Sequence, residues 1–416
     1  MSTTQASPHT LNVALIGYSF MGAIHAQAWR TAPSFFPTDL TPRVTTVCGR
    51  NEYAATEFAN RFGIPHVETD WRSVVNDPTI DVIDICVPGH LHTEIALAAL
   101  AAGKHVLCEK PLANNLDDAE RMAAAAASAS ANGIFASVGF NYRRTPALAL
   151  AQRMIANGDL GVIRSMRGQY LQDWLVDPTF PLVWRLDAEK AGSGALGDLG
   201  AHLIDLAQWV SGHNIDGVSA LSRTFISERP LAEASSGLSA TAATAATTTA
   251  TTETATDDSG SAMGTVTVDD AAIWLATTDK GAIGTFEANR FATGHNNALR
   301  LEINGSLGSI AFDFERLNEL EYFDNRSTTV NNVEVGGFRR IHVTKASHPY
   351  LAAWWPAGHS LGYEHTFVHQ VADFVAAVAA NTPPSPSFED GLNVQCVLDA
   401  VERSAAAHSS WTQLNP

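Results

Sequence analysis

The stretch "GDLGAHLID" (197–205) sets a carboxylate, Asp198, and an imidazole, His202, four residues apart. That spacing stacks two side chains on one face of a helix. Leu199, Leu203, Ile204 and Leu206 surround them with apolar surface. An imidazole titrates near neutral pH and can accept or give a proton during a reaction. At the first turn of a helix the positive end of the backbone dipole would favour its neutral form. The carboxylate one turn earlier can orient that imidazole, hold a substrate hydroxyl, or cap the helix that follows "GSGALG". A second group of interest is Lys110 in "CEKPLA", just past a Val- and Leu-containing run, where Pro111 restrains the backbone. An ammonium held beside an oxygen that is losing its proton stabilises the developing negative charge.

These side chains need a scaffold, and the sequence describes one. Residues 11–140 alternate short apolar runs with helical patterns. Leu11–Gly17, Arg43–Cys48, Asp81–Pro88, His105–Glu109 and Ile134–Gly139 read as strands. Met21–Arg30, Glu52–Phe62, His92–Ala102 and Leu116–Asn132 read as helices, three of them stopped by Gly63, Gly103 and Gly133. Strand–helix alternation predicts an α/β domain with a doubly wound parallel sheet, binding ligands at the carboxyl ends of its strands. Lys110 falls at such an end.

The first strand runs directly into "GYSFMG". This is a glycine fingerprint, G-x-G-x-x-G, with Ser19 in place of the middle glycine between Gly17 and Gly22. In that context the turn predicts a dinucleotide whose pyrophosphate sits on the following helix N-terminus. The second strand ends at Cys48, and Gly49 occupies the position where an acidic residue usually binds the ribose. Arg50 follows; it suits a 2′-phosphate or can stack on adenine, so NAD and NADP both stay open.

Residues 141–416 change character. After the helix Pro146–Ala156 come an alternating strand in "IRSMRGQYLQDW", the Asp198/His202 helix, and six strand-like runs between Val266 and Thr344 joined by glycine turns. They predict an α+β domain with a large, mainly antiparallel open sheet. Helices at Glu364–Ala380 and Leu392–Ala407 close the chain. Residues 1–10 read as a disordered tail, and the Ala/Thr/Ser-rich run 232–262 as a disordered insertion.

Composition removes several classes of function. Lys and Arg number 26 against 43 Asp and Glu, a net charge of −17, which disfavours nucleic acid and anionic membranes. No apolar run approaches the roughly 18 residues of a membrane span. The four cysteines, Cys48, Cys86, Cys108 and Cys396, form no C-x-x-C pair, and no His spacing suggests zinc. The expectation is a cytoplasmic protein without a metal.

The degenerate fingerprint, "VPGHLH" (87–92), Glu109-Lys110-Pro111 and Asp198-x-x-x-His202, in that order, resemble the Gfo/Idh/MocA oxidoreductase family over residues 11–407, the insertion apart. "FNYRRTPA" (140–147), "YLQDW" (170–174), "WRLDAEKAGSGALGD" (184–198), "HPY" (348–350) and "GYEHTF" (362–367) are similar to its branch acting on sugars such as levoglucosan. Departures are Ser19 and Gly89, where Asn is common. The resemblance implies NAD(P)-dependent oxidation of a ring hydroxyl of a sugar, anhydrosugar or cyclitol to a ketone, with Lys110, Asp198 and His202 catalytic. It implies a dinucleotide site built from Gly17, Ser19, Phe20, Met21, Gly22, Arg50, Val87, Pro88, His90, His92, Glu109, Lys110, Asn141, Trp184 and Arg185. It places Tyr142, Arg143, Gln172, Arg185, Asn297 and His365 at the substrate, beside the catalytic three. A homodimer or homotetramer through the second sheet is implied as well. Keto-sugar reduction, dihydrodiol oxidation and a non-catalytic dinucleotide-binding regulator are the alternatives.

Overall fold

The computed structural model describes residues 9–231 and 262–414. The first sheet is parallel, in the order β3-β2-β1-β4-β5-β6. Its strands are β1 (His9–Ile16), β2 (Leu40–Cys48), β3 (His66–Glu68), β4 (Val82–Ile85), β5 (His105–Cys108) and β6 (Ala136–Val138). Val13, Ala14 and Leu15 are fully buried, as are Val82, Ile83, Val106 and Leu107. Burial on both faces is what a parallel sheet covered by helices demands, and it explains these unbroken aliphatic runs. β1 begins at His9, inside the run expected to be a tail; residues 1–8 lie outside the described residues, as does 232–261 of the expected insertion. Ala262 is described and accepts a backbone hydrogen bond from Leu231.

The helix α1 (Phe20–Phe35) leaves the glycine turn and packs on the sheet. Its outer side is covered by the helix Glu364–Ala379 from the far end of the chain, with Trp29 edge-on to Phe374 at 6.1 Å. The final helix, Phe388–Ala406, starts four residues earlier than its periodicity suggested, because Ser387 and Asp390 form a capping box. It packs in the same core as Met122 and Ala119 of the helix Leu116–Ser130.

The second sheet has nine strands. Edge to edge they are Arg339–His342, Glu319–Asp324, Gly308–Asp313, Ala298–Gly305, Ile163–Leu171, Ile283–Asn289, Ala271–Thr278, Ile215–Arg223 and Thr412–Gln413. All neighbours are antiparallel except Ile163–Leu171 with Ile283–Asn289, which run parallel. The helix Ala201–Ser211 lies on one face, so alternate residues such as Leu301, Ile303 and Trp274 are buried beneath it. Among the described residues no helix is long and apolar enough to cross a membrane.

Candidate active site

The glycine turn has a shape only its sequence allows. Gly17 has φ +108°, and a Cβ there would lie 2.5 Å from the Cys86 carbonyl oxygen. A Cβ on Gly22 would meet the Gly17 carbonyl at 2.2 Å, so the third glycine lets α1 close down on β1. Ser19 holds the N-cap position with its hydroxyl making no cap bond. The first N–H groups of α1 therefore face an open cleft of about 430 Å³, floored by Ser19, Phe20 and Met21 and walled by Val87, Pro88 and Glu109. A turn with no side chain in the way and a helix N-terminus behind it fits a pyrophosphate. Arg50 is exposed beyond the end of β2 and makes no ion pair among the described residues. The Tyr18 ring lies over Gly49, where a Cβ would be 1.9 Å from it.

Two histidines expected at this cleft part company. His90 is exposed and outside the cleft, its Nδ1 3.3 Å from the Lys190 carbonyl. His92 is buried and ties chain ends together: Nε2 lies 2.9 Å from the Val87 carbonyl and Nδ1 3.1 Å from that of Pro111. Burial lowers its pKa and favours the neutral ring, whose single N–H donates to one of these carbonyls while the ring packs between the β4 end and the segment after Lys110.

Opposite the glycine turn, β5 delivers Lys110. Its Nζ donates to the Asp198 carbonyl oxygen at 2.9 Å and to Oδ1 at 3.1 Å. Arg290 Nη2 donates to Asp198 Oδ2 at 2.9 Å. Burial alone would raise the Asp198 pKa, but Lys110, Arg290 and Arg185 together hold it well below the usual carboxylate range. Asp198 is not a cap. It sits in a π-helical turn, Leu196–Gly200, that runs unbroken into Ala201–Ser211. Capping falls to Asp269, which accepts from Gly194 N at 2.6 Å and Leu196 N at 2.9 Å. Gly194 permits this, since a Cβ there would lie 1.7 Å from the Asp269 carbonyl oxygen. Such π turns recur at functional sites.

His202 accordingly belongs to the second helical turn, not the first, and the dipole is not what keeps it neutral. Burial pushes its pKa well below 6.5, the nearby Lys110 charge adds to this, and Asp198 opposes. The Tyr142 ring covers the imidazole at 4.3 Å between centroids. His202 Nδ1 is sealed from solvent without a hydrogen-bond partner, and His202 lines the same cleft as Lys110 and Asp198.

The second sheet supplies a polar wall. Tyr142 and Tyr170 hydroxyls lie 2.7 Å apart, and Tyr170 donates to Asn297 Oδ1 at 2.8 Å. Gln172 Nε2 donates to the same oxygen at 2.8 Å, while its Oε1 accepts from Trp174 Nε1. Trp184 and Arg185, stacked at 4.4 Å, close one side. Asn141 lines the cleft but spends its amide on Thr366 Oγ1 at 2.8 Å.

Two expected substrate contacts lie elsewhere. His365 accepts from Gly362 N at 3.0 Å and packs edge-on to Trp354, outside the cleft. Arg143 is buried against Asp205, with Nη2 to Oδ1 at 2.5 Å, and also reaches Asp390 at 3.1 Å. Replacing Arg143 by leucine strands Asp205 as a buried, uncompensated acid. The expected loss is about 3–5 kcal/mol of folding stability, read from the urea midpoint, with the cleft itself untouched. Conversely, Arg290, Tyr170 and Trp174 were not singled out beforehand. The last two stand inside "YLQDW", whereas Arg290 has no motif around it.

The known proteins fit this geometry. Residues 11–137 match the family model described as an oxidoreductase family with an NAD-binding Rossmann fold, and residues 148–311 match the GFO/IDH/MocA C-terminal domain. Levoglucosan dehydrogenase of Pseudarthrobacter phenanthrenivorans is 41% identical over 406 residues, 97% of this chain and 98% of that one. A solved oxidoreductase domain protein from Kribbella flavida is 51% identical with a TM-score of 0.88, covering 98% of this chain and 100% of that one. A levoglucosan dehydrogenase in complex with NADH and levoglucosan is 40% identical with a TM-score of 0.86, over 98% of this chain and 100% of that one. The chain belongs to the GFO/IDH/MocA family of NAD-binding oxidoreductases.

Proposed function

We propose that this protein is an NAD-dependent dehydrogenase that oxidises a secondary ring hydroxyl of a pyranose, an anhydrosugar of the levoglucosan kind, or a cyclitol to the ketone. One observation carries the reading. The Lys110–Asp198 ion pair and the unpartnered imidazole of His202 share one cleft with the glycine turn. NAD bound on that turn, held by Gly17, Ser19, Met21 and Val87, supplies the hydride acceptor. His202 takes the hydroxyl proton. With Nδ1 sealed off, the transfer runs through Nε2. Asp198 is too weak a base to compete; fixed as an anion by Lys110 and Arg290, it aims the ammonium and can accept from a neighbouring hydroxyl. Lys110 has a third N–H for the reacting oxygen as its negative charge develops. Gln172 and Asn297 present amide N–H groups to the far hydroxyls, and Tyr142 shields the imidazole from water.

The likeness to levoglucosan dehydrogenase across nearly the whole chain supports the sugar class and NAD. The open face of the second sheet supports a homodimer or homotetramer: Leu221, Ile273, Leu275 and Ile283 share that face, each more than half exposed. Four free cysteines, three of them buried, suit the cytoplasm.

Steady-state oxidation of levoglucosan, myo-inositol, methyl glucosides and a dihydrodiol, each with NAD⁺ and NADP⁺, tests the reading. The highest kcat/KM is expected for a pyranose or anhydrosugar with NAD⁺. Absence of nicotinamide reduction with every polyol, despite dinucleotide binding, would overturn it. An Arg50→Ala arm separates the two uses of that side chain, because a phosphate reader loses NADP⁺ affinity alone whereas an adenine stacker loses affinity for both dinucleotides.

A further inference from the structure

Behind the cleft lies a buried polar cluster that the reaction does not use directly. His25, on α1, is 1% exposed, Asp84 on β4 0%, and Glu109, at the end of β5, 5%. His25 Nδ1 lies 3.0 and 2.9 Å from the two Asp84 carboxylate oxygens, and Nε2 lies 3.0 Å from Glu109 Oε1. Trp29 Nε1 donates to Asp84 Oδ2 at 2.6 Å, the Cys86 thiol lies 3.6 Å from Oδ1, and Phe367 covers the ring at 5.5 Å.

A neutral imidazole has one N–H and cannot donate to two carboxylates at once. Two buried carboxyl groups on opposite sides of one ring are both satisfied when the ring carries both N–H groups. Burial opposes that charge, but Asp84 and Cys86 together outweigh it and raise the His25 pKa well above 6.5. The His25, Asp84 and Cys86 ligand atoms all lie within 4.8 Å of one another, close enough for a metal ion. Here, however, the ring N–H, the Trp29 indole and the thiol already occupy the Asp84 oxygens.

The three elements joined by this imidazole are the ones that must stay in register for catalysis. α1 follows the glycine turn, β4 leads into the cleft wall at Cys86–Pro88, and Glu109 is the residue immediately before Lys110. We propose that His25 is a positioning residue: an imidazolium bridge that, through Glu109, fixes the direction of Lys110 relative to the dinucleotide turn. This rests on the reading of Lys110 as the group that meets the reacting oxygen.

The test begins with nitrogen-detected NMR of the full-length protein. Both ring N–H signals of His25 should be present and should not titrate through neutral pH. In Asp84→Asn, where the charge that favours the imidazolium is gone, His25 should keep a single N–H. His25→Asn, if folded by its melting profile, should lower kcat on the order of tenfold to a hundredfold, as small misplacements of reacting groups do. Its NAD⁺ Kd by calorimetry should move less than about threefold, since His25 is outside the cleft lining. Unchanged kcat in His25→Asn beside a strongly lowered kcat in Lys110→Met overturns the positioning role alone. A neutral His25 in the wild-type spectrum, or one equivalent of tightly bound metal, overturns the bridge. Full activity in Lys110→Met removes both this inference and the catalytic reading beneath it.

Discussion

His202→Asn will lower kcat/KM by roughly 10²–10⁴-fold, the usual worth of a positioned general base, and leave NAD⁺ binding nearly unchanged. Asparagine keeps a polar group of similar reach in the pocket under Tyr142 but cannot take a proton. The pH profile makes the prediction sharper. The base is the neutral imidazole, and burial with the Lys110 charge pushes its pKa well below 6.5. As pH falls, the wild-type enzyme therefore keeps its base past the point where an ordinary histidine would be protonated. The acid limb of kcat/KM belongs well below 6.5, and it should vanish in His202→Asn. A wild-type acid limb at or above 6.5 would contradict the burial argument, and an unchanged limb in the variant would show that another group is the base.

How much of this was legible beforehand depends on the range of each interaction. Gly17, Gly22 and the strand end at Lys110 were readable because a strand–turn–helix is written in contiguous residues. β3 escaped notice: it has three residues, none fully buried, so no alternation marks it. The strand Ile215–Arg223 contains Gly217 and two serines, and its place is set by pairing with Ala271–Thr278 rather than by its own pattern. At the site, the spacing places Asp198 and His202 on one helical face, but of the roles open to Asp198 the capping one belongs to another acid. Asp269, which does cap, is more than seventy residues away in sequence. Arg143 misled for the same reason. Its neighbours in "FNYRRTPA" line the cleft, but Asp205, buried one turn beyond His202, claims the guanidinium. A single chain tells which residues can do chemistry; which partner satisfies each buried charge is decided by packing.

Replacing Lys110 by methionine carries the second large effect, and it separates the roles that the ion pair combines. Methionine keeps the unbranched apolar stem, and the ammonium is lost. With one donor to the developing alkoxide gone, kcat should fall on the order of 10²–10³-fold. Asp198 stays ionised, because Arg290 still donates to Oδ2 at 2.9 Å, so the fold has no buried orphan acid to absorb. His202, however, feels the loss directly. The Lys110 charge is one of the two influences that depress its pKa, and Asp198 is the one that raises it. Removing Lys110 therefore moves the His202 pKa upward, and the residual activity should show an acid limb shifted toward 6.5. A base that faced the substrate from another cavity would show the drop in kcat without that shift. Asp198→Asn should act in the opposite sense on His202, and the two substitutions should be far from additive in kcat, as expected for groups that work as one unit.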